Sequence, residues 1–364
     1  MVESDRRAHR LTALRELLGR ADLDALLITS LPNVRYLTGF SGSNALLTVT
    51  AKECLLITDF RYETQVAEEV GRAASVRIES SNLWTGLWSA LPAMAGVDRV
   101  GFESAHLLHR DFARLLEQGT RWTWRPTTDL VEQLREQKDE GEIARIERAI
   151  GMAEEALSRT LQTLRPGLTE TQVAGLLERN LRDAGSEAFP FDSIVASGPR
   201  SALPHARASD RVLGTGDLVL LDFGAVAHGY CSDITRTVVL GRADETQREI
   251  YDIVCEANRR ASGAIRVGMQ GMAADAVARD YIAARGFGDA FGHSLGHGIG
   301  LEVHEAPRLA KTVEAALTAG SVVTIEPGIY RVGWGGVRIE DDVLLTAQGP
   351  RVLTGFSRDL LEIV

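Results

Sequence analysis

Apolar positions in the first third of the chain come in short runs: Ala25-Leu-Leu-Ile-Thr29, Ala45-Leu-Leu-Thr-Val49, Cys54-Leu-Leu-Ile-Thr58, Val76-Arg-Ile78 and Arg99-Val-Gly-Phe102. Runs of this length bounded by polar turn residues predict buried strands. Segments near 62–70, 84–94 and 107–117 read as helices between them, and Leu11, Leu14, Leu17 and Leu18 recur at helical spacing within residues 9–20. Alternation of this kind predicts an α/β layer. The glycine-rich stretch Thr38-Gly-Phe-Ser-Gly-Ser-Asn44 lacks the lysine and following helix of a phosphate loop, and reads as a turn between two strands. Trp84 and Trp88, one helical turn apart, read as packing or subunit contact rather than a substrate cage.

The pattern changes at Glu132-Gln-Leu-Arg-Glu-Gln-Lys-Asp-Glu-Gly-Glu142, a charged stretch that opens a long helix through about residue 163. We read residues 1–128 as one domain, 129–140 as a linker into that helix, and 141–364 as a second domain. Within the second domain the sequence echoes itself. Arg165-Pro-Gly-Leu-Thr169 corresponds to Arg266-Val-Gly-Met-Gln270, each between two helical segments, and Leu220-Leu-Asp-Phe-Gly224 corresponds to Thr324-Ile-Glu-Pro-Gly328. Each of the latter leads to a further strand with a carboxylate, Asp233 in one copy and Glu340 in the other. Two similar α+β halves facing each other across a cleft are the simplest reading.

Chemistry collects at equivalent places in the two copies. Asp222, Asp233, Glu326 and Glu340 are expected within apolar strands, where an unpaired carboxylate is costly. The spacing of Asp222 and Asp233 suits two adjacent antiparallel strands that bring the carboxylates side by side. Between the copies lies Phe291-Gly-His-Ser-Leu-Gly-His-Gly-Ile-Gly-Leu-Glu-Val-His304, which reads as a shaped loop running into a short strand and carries His293, His297 and His304. Four carboxylates and His297 are enough for two divalent cations. An oxygen-rich set without thiolates favours Mn²⁺ foremost, with Co²⁺ or Zn²⁺ able to compete.

Composition narrows the reading further. The 364 residues are 45 % hydrophobic and 25 % charged, as in an ordinary globular protein of two domains. A net charge of −10 argues against nucleic acid or anionic membrane as a partner. Lysine occurs only at 52, 138 and 311, against abundant arginine. The N-terminal stretch Met-Val-Glu-Ser-Asp-Arg-Arg leads into the first helix and has no apolar core of a signal peptide, and no run approaches a membrane span. Cys54, Cys231 and Cys255 are scattered and odd in number, so a cytoplasmic protein without a disulfide framework is expected.

The contexts Asp222-Phe-Gly, Ser-Asp233-Ile-Thr-Arg, Gly-His297-Gly-Ile-Gly, Glu326-Pro-Gly and Ile-Glu340-Asp together resemble those of the dinuclear metallopeptidases with the pita-bread fold. Asn33-Val-Arg-Tyr-Leu-Thr-Gly39 and Thr58-Asp-Phe-Arg-Tyr62 extend the resemblance to a creatinase-like N-terminal domain. It implies an α+β protein in which a duplicated α+β catalytic domain follows an α/β domain. Within the family the sequence is similar to aminopeptidase P and prolidase, which cleave Xaa-Pro bonds. The resemblance implies that Asp222 chelates one metal, that Asp233 and Glu340 bridge both, and that His297 and Glu326 complete the other. It gives His205, His293 and His304 substrate contacts and proton transfer, lets Glu326 share the proton handling, and makes Tyr330 and Arg338 supports of the site. Arg308 is the candidate for holding the free carboxylate of a dipeptide. The expected activity is an Xaa-Pro aminopeptidase, with a prolidase restricted to dipeptides as the alternative. A creatinase-type amidinohydrolase and a noncatalytic peptide-binding protein stand further off. A homodimer or higher homo-oligomer is expected from the family.

Overall fold

The computed structural model describes residues 3–364, with side chains from Arg6 onward, so Met1 and Val2 of the N-terminal stretch lie outside the described residues. The chain divides between Arg135 and Glu136 into two compact units.

In the first unit the apolar runs form a six-stranded sheet, with β1 (Ala25–Ile28), β2 (Ala45–Thr50), β3 (Cys54–Asp59), β4 (Ser75–Glu79), β5 (Arg99–Glu103) and β6 (Thr123–Thr127) in the order β4-β3-β2-β1-β5-β6. Its helices are α1 (Glu3–Arg20), α2 (Leu31–Thr38), α3 (Glu63–Glu69), α4 (Leu83–Ala90), α5 (His109–Gln118) and the single turn α6 (Glu132–Arg135). Helix α2 and strand β6 escaped the sequence pattern. In α2, Pro32 occupies the first turn, where a missing N–H costs nothing, and Gly39 closes the helix in the left-handed conformation. The glycine-rich stretch after it therefore joins a helix to β2, not two strands. Trp84 and Trp88 pack with each other and with Trp122 and Trp124 against Leu83, Leu87 and Leu115.

The second unit repeats one plan. In the first half, α7 (Glu140–Leu161) and α8 (Glu170–Asp183) precede β7 (Ile194–Ser197), β8 (Leu218–Phe223), a small hairpin of β9 (Val226–Ala227) and β10 (Tyr230–Cys231), and β11 (Ile234–Leu240). In the second, α9 (Glu245–Ala264) and α10 (Gly271–Ala284) precede β12 (Gly296–Gly298), β13 (Glu305–Leu309), β14 (Val322–Ile325), β15 (Gly328–Arg331), β16 (Gly335–Arg338) and β17 (Asp341–Thr346). Two late strands, β18 (Gly349–Val352) and β19 (Glu362–Ile363), complete sheets ordered β19-β11-β8-β7 and β13-β12-β14-β17-β18.

Strand parity explains where the acids point. Val219, Leu221 and Phe223 of β8, with Val238 and Leu240 of β11, pack under Ala149, Ala153 and Leu157 of α7 and Val173, Leu177 and Leu181 of α8. The second half repeats this with Val323 and Ile325 of β14 and Val343 and Leu345 of β17 beneath Val254, Ala257 and Ala261 of α9 and Ala274 and Ala278 of α10. Side chains alternate along a strand, so Asp222, Asp233, Glu326 and Glu340 have the parity of the opposite face in each sheet. Only Asp222 lies inside a strand. Asp233 precedes β11, Glu326 follows β14, and Glu340 stands in the bend between β16 and β17, which corrects the expectation that all four sit within strands. A strand end frees the backbone to aim a carboxylate without breaking a ladder.

Candidate metal centre

The shape of the site begins with close backbone approach. A Cβ on Gly296 would collide with the carbonyl of Thr324, and one on Gly298 with that of Ala306, so only glycine lets β12 sit between β13 and β14. Held there, His297 receives support from Thr324, whose Oγ1 accepts from the His297 N–H at 3.1 Å. The His297 Nδ1–H donates to the carbonyl of Gly298 at 3.0 Å, because a carbonyl only accepts. That fixes the tautomer and leaves the Nε2 lone pair free to ligate. Nε2 lies 3.8 Å from Asp233 Oδ2 and 3.7 Å from Glu326 Oε1.

Asp233, His297 and Glu340 each offer a ligand atom, all within 4.8 Å of one another. Antiparallel pairing of β8 and β11 sets Thr235 opposite Asp222, which brings Asp233 to the same end of the sheet. Glu340 Oε2 accepts from the Thr235 hydroxyl at 2.6 Å, and the Glu340 N–H donates to the Thr235 carbonyl. Asp222 and Glu326 border this trio without belonging to it. Asp222 Oδ2 is ion-paired to Arg338, while Glu326 sits within 3.8 Å of His293 as well as beside His297.

Electrostatics supports a cation. Burial, then the charge of Asp222, pushes the Glu340 carboxyl up to about 8. Burial and then Glu340 push Asp233 and Glu326 well above the usual carboxylate range. Asp222 Oδ1 and Asp233 Oδ1 are buried and have no hydrogen-bond partner among the described residues. Orphaned carboxylate oxygens beside a neutral imidazole are the donor set of an oxygen-rich divalent site. Burial holds His297 down to about 4, so it is neutral and competent as a ligand at neutral pH.

The remaining residues singled out in the sequence surround this group. His304 is exposed, and its ring packs edge-on to His297 with centroids 4.4 Å apart. His205, exposed on the loop after β7, lies close enough for its charge to disfavour protonation of both His293 and His304. Arg308 pairs with His297 across the β12–β13 register, and its charge acts on both His297 and His304. His293 is fully engaged: Nδ1–H donates to the Ser294 carbonyl, and Nε2 accepts from the Tyr330 hydroxyl at 2.9 Å. Tyr330 in turn accepts from Arg338 at 2.7 Å, so Arg338, Tyr330 and His293 form one chain that starts at Asp222.

Several contributors were not read from the sequence. Asp342 Oδ2 accepts from the Asp233 N–H, and Arg236, buried against Asp341, donates to the carbonyls of Thr235 and Glu340. On α10, Asp275 and Arg279 pair with each other and grip the histidine loop. Arg279 donates to the carbonyls of Phe291 and His293, and Asp275 accepts from the Leu295 N–H. Their i,i+4 spacing was a usable signal, but it marks any helix ion pair equally well.

Known proteins resemble the chain along nearly its whole length. Residues 144–347 match Metallopeptidase family M24, and residues 10–137 match the Creatinase/Prolidase N-terminal domain. A protein of Pyrococcus horikoshii named Xaa-Pro dipeptidase is 38% identical, the match covering 95% of this chain and 97% of that one. The structure of an Xaa-Pro dipeptidase from Bacillus anthracis superposes with a TM-score of 0.95 at 40% identity, covering 98% of this chain and 99% of the other. That of an X-Pro aminopeptidase from Thermotoga maritima gives 0.90 at 39% identity, covering 96% and 99%.

Proposed function

The chain belongs to metallopeptidase family M24, and from that premise we propose that it is an Xaa-Pro dipeptidase working with two divalent cations, Mn²⁺ foremost. The observation that carries the hydrolytic reading is the convergence of Asp233, His297 and Glu340 from both halves of the second unit. When bound, the cations polarise a carbonyl and lower the pKa of water, so no Ser or Cys nucleophile is required. In this reading Asp222, Asp233, His297, Glu326 and Glu340 would hold the cations. Glu326 would accept the proton of the attacking water and return it to the leaving proline nitrogen. His205 and His304 would hydrogen-bond the peptide and transfer protons, the latter a contribution of about 10² to 10⁴ for a well-placed acid or base. His293 reaches the substrate only when Tyr330 releases its Nε2; in the present arrangement it serves with Arg338 to orient Asp222.

Substrate length turns on Arg308. Its position opposite His297 supports a guanidinium that pairs with the terminal carboxylate of a dipeptide. The family resemblance of the sequence put cleavage of longer peptides first; the relatives named Xaa-Pro dipeptidase or prolidase favour the shorter substrate. The Thermotoga maritima relative keeps the Xaa-Pro aminopeptidase as the second reading. A cytoplasmic homodimer belongs to the same proposal, consistent with three free cysteines, and sedimentation tests the oligomer. No helix among the described residues is long and apolar enough to cross a membrane.

Protein stripped by chelation and reconstituted with Mn²⁺, Co²⁺ or Zn²⁺ is assayed on an Xaa-Pro dipeptide, an Xaa-Pro-Xaa tripeptide and creatine. The expected result is turnover of the dipeptide alone. Arg308→Ala is expected to raise the dipeptide KM about ten- to a hundredfold, the loss of one charged hydrogen bond, and to admit the tripeptide. Equal turnover of the tripeptide by the unmodified protein replaces the dipeptidase with the aminopeptidase. Absence of Xaa-Pro cleavage with every metal overturns both.

A further inference from the structure

One of the three lysines is buried in the second unit and takes no part in the function argued so far. The Lys138 side chain is 1% exposed, and its Nζ lies 3.0 Å from Oε2 of Glu305, whose side chain is 6% exposed. The root of Lys138 is fixed as well, since its N–H donates to the carbonyl of Gly320 at 2.9 Å. Glu305 follows His304 directly. Its other oxygen, Oε1, accepts from the Glu302 N–H at 3.1 Å, and the Gly300 N–H donates to the Glu302 carbonyl at 3.1 Å. The turn 300–305 is thus closed around the Glu305 carboxylate. A Cβ on Gly300 would come within 2.6 Å of Glu305 Oε2, so a side chain there would push the Glu305 carboxylate from its place. At its other end the Gly300 carbonyl accepts from the Cys231 N–H at 2.7 Å, two residues before Asp233.

We infer that Lys138 is a positioning residue of the active site: through its buried ion pair with Glu305 it fixes the turn that presents the His304 imidazole to the peptide. This inference rests on the reading of His304 as a substrate contact. His304 is exposed and meets His297 edge-on, so the turn that carries it is what sets its place. The pair is poorly suited to be a mere source of stability. Burying two charges costs desolvation comparable to the attraction gained, and apolar side chains of similar volume often serve stability as well. What it offers instead is direction, because a buried ammonium that donates to Glu305 Oε2 and to the Glu136 carbonyl defines the position of that carboxylate. A displacement of about 1 Å at such a group costs roughly a hundredfold in turnover.

The test uses the full chain loaded with Mn²⁺ and the variants Lys138→Met, Glu305→Gln and Lys311→Met, the last an exposed lysine as control. The first two are also combined with His304→Ala. Metal content, circular dichroism, and kcat and KM on an Xaa-Pro dipeptide are measured for each. Lys138→Met and Glu305→Gln are expected to keep wild-type metal content and spectrum and to lose about ten- to a hundredfold in kcat/KM, with a change in KM that a smaller folded fraction would not produce. In the His304→Ala background each is expected to cost less than about threefold more, because the group they position is gone. Wild-type kinetics in Lys138→Met, or a full additional loss on top of His304→Ala, overturns the inference. Should Lys138→Met fail to fold, the isosteric Glu305→Gln carries the same cycle. If the unmodified chain cleaves no Xaa-Pro bond, the functional reading fails by itself. The tie is then read from the His304 imidazole NMR signal, which must shift in Lys138→Met and stay fixed in Lys311→Met.

Discussion

Single residues at the site are set by burial working against charge. A carboxylate such as Glu340, pushed up to about 8 by burial and by Asp222, carries a proton at neutral pH in chelated protein. Asp233 and Glu326 are pushed the same way. A divalent cation must displace those protons, so Mn²⁺ binding at pH 7 is expected to release protons into a weakly buffered solution. The sign follows from the raised values. Release is large below about 8, shrinks as Glu340 loses its proton at higher pH, and makes metal affinity rise from pH 6 to pH 8. Calorimetric titration in two buffers of different ionisation enthalpy reads the number released, and a value of zero at pH 7 would contradict this account of the site. The carboxylates and His297 were legible as residue types in apolar context. Tyr330 and Arg338 were named as supports, but their link to His293 was not legible, because it joins the β15–β16 pair to a distant loop and depends on which nitrogen of His293 holds the proton.

Elements are held in register by buried polar residues that no period reveals. Glu170, in the first turn of α8, is buried and accepts from the Ser197 N–H and hydroxyl, the Ser209 N–H and hydroxyl, and Arg200 Nε. It thereby ties α8 to the end of β7 and to the loop carrying His205. Burial pushes its carboxyl up, but the donors of Ser209, Ser197 and Arg200 outweigh burial and hold it below the usual glutamate value. A depressed folded pKa means that the contribution to stability is complete above the unfolded value, near 4.3, and is lost as pH falls through the folded one. Glu170→Gln is therefore expected to destabilise by about 2 kcal/mol at pH 7, and the gap to the unmodified protein should narrow below pH 4. Urea unfolding of the two proteins at both pH values checks this; a gap independent of pH would remove Glu170 from the role. From the sequence, Glu170 was only one more acid at a helix start, a place where acids are common for reasons of the helix dipole.

The whole molecule brings to one place groups that the chain scatters over more than a hundred residues. Metal binding stabilises only structure that depends on the site. Chelation is accordingly expected to raise amide exchange in β8, β11, β14 and β17 and to leave β1, β2, β3 and β5 of the first unit unchanged, by hydrogen exchange with mass analysis. Uniform loosening of both units would mean that the cation does not act through the acids named here. By itself the sequence carried signals for the duplicated plan, for the helices and the main acid-bearing strands of the second unit, and for the acids and His297 as candidates. These are written locally, in the alternation of apolar positions, in the repeated helix junctions at 165–169 and 266–270, and in carboxylates next to greasy strands. Only the tertiary structure decided that Asp233, Glu326 and Glu340 stand just outside their strands while Asp222 lies within one, that Arg338 shares Asp222, and that Lys138 reaches Glu305. Strand parity fixes a face from a few neighbouring residues, whereas the partner of a buried charge is chosen by packing between segments whose separation in sequence carries no periodic signal.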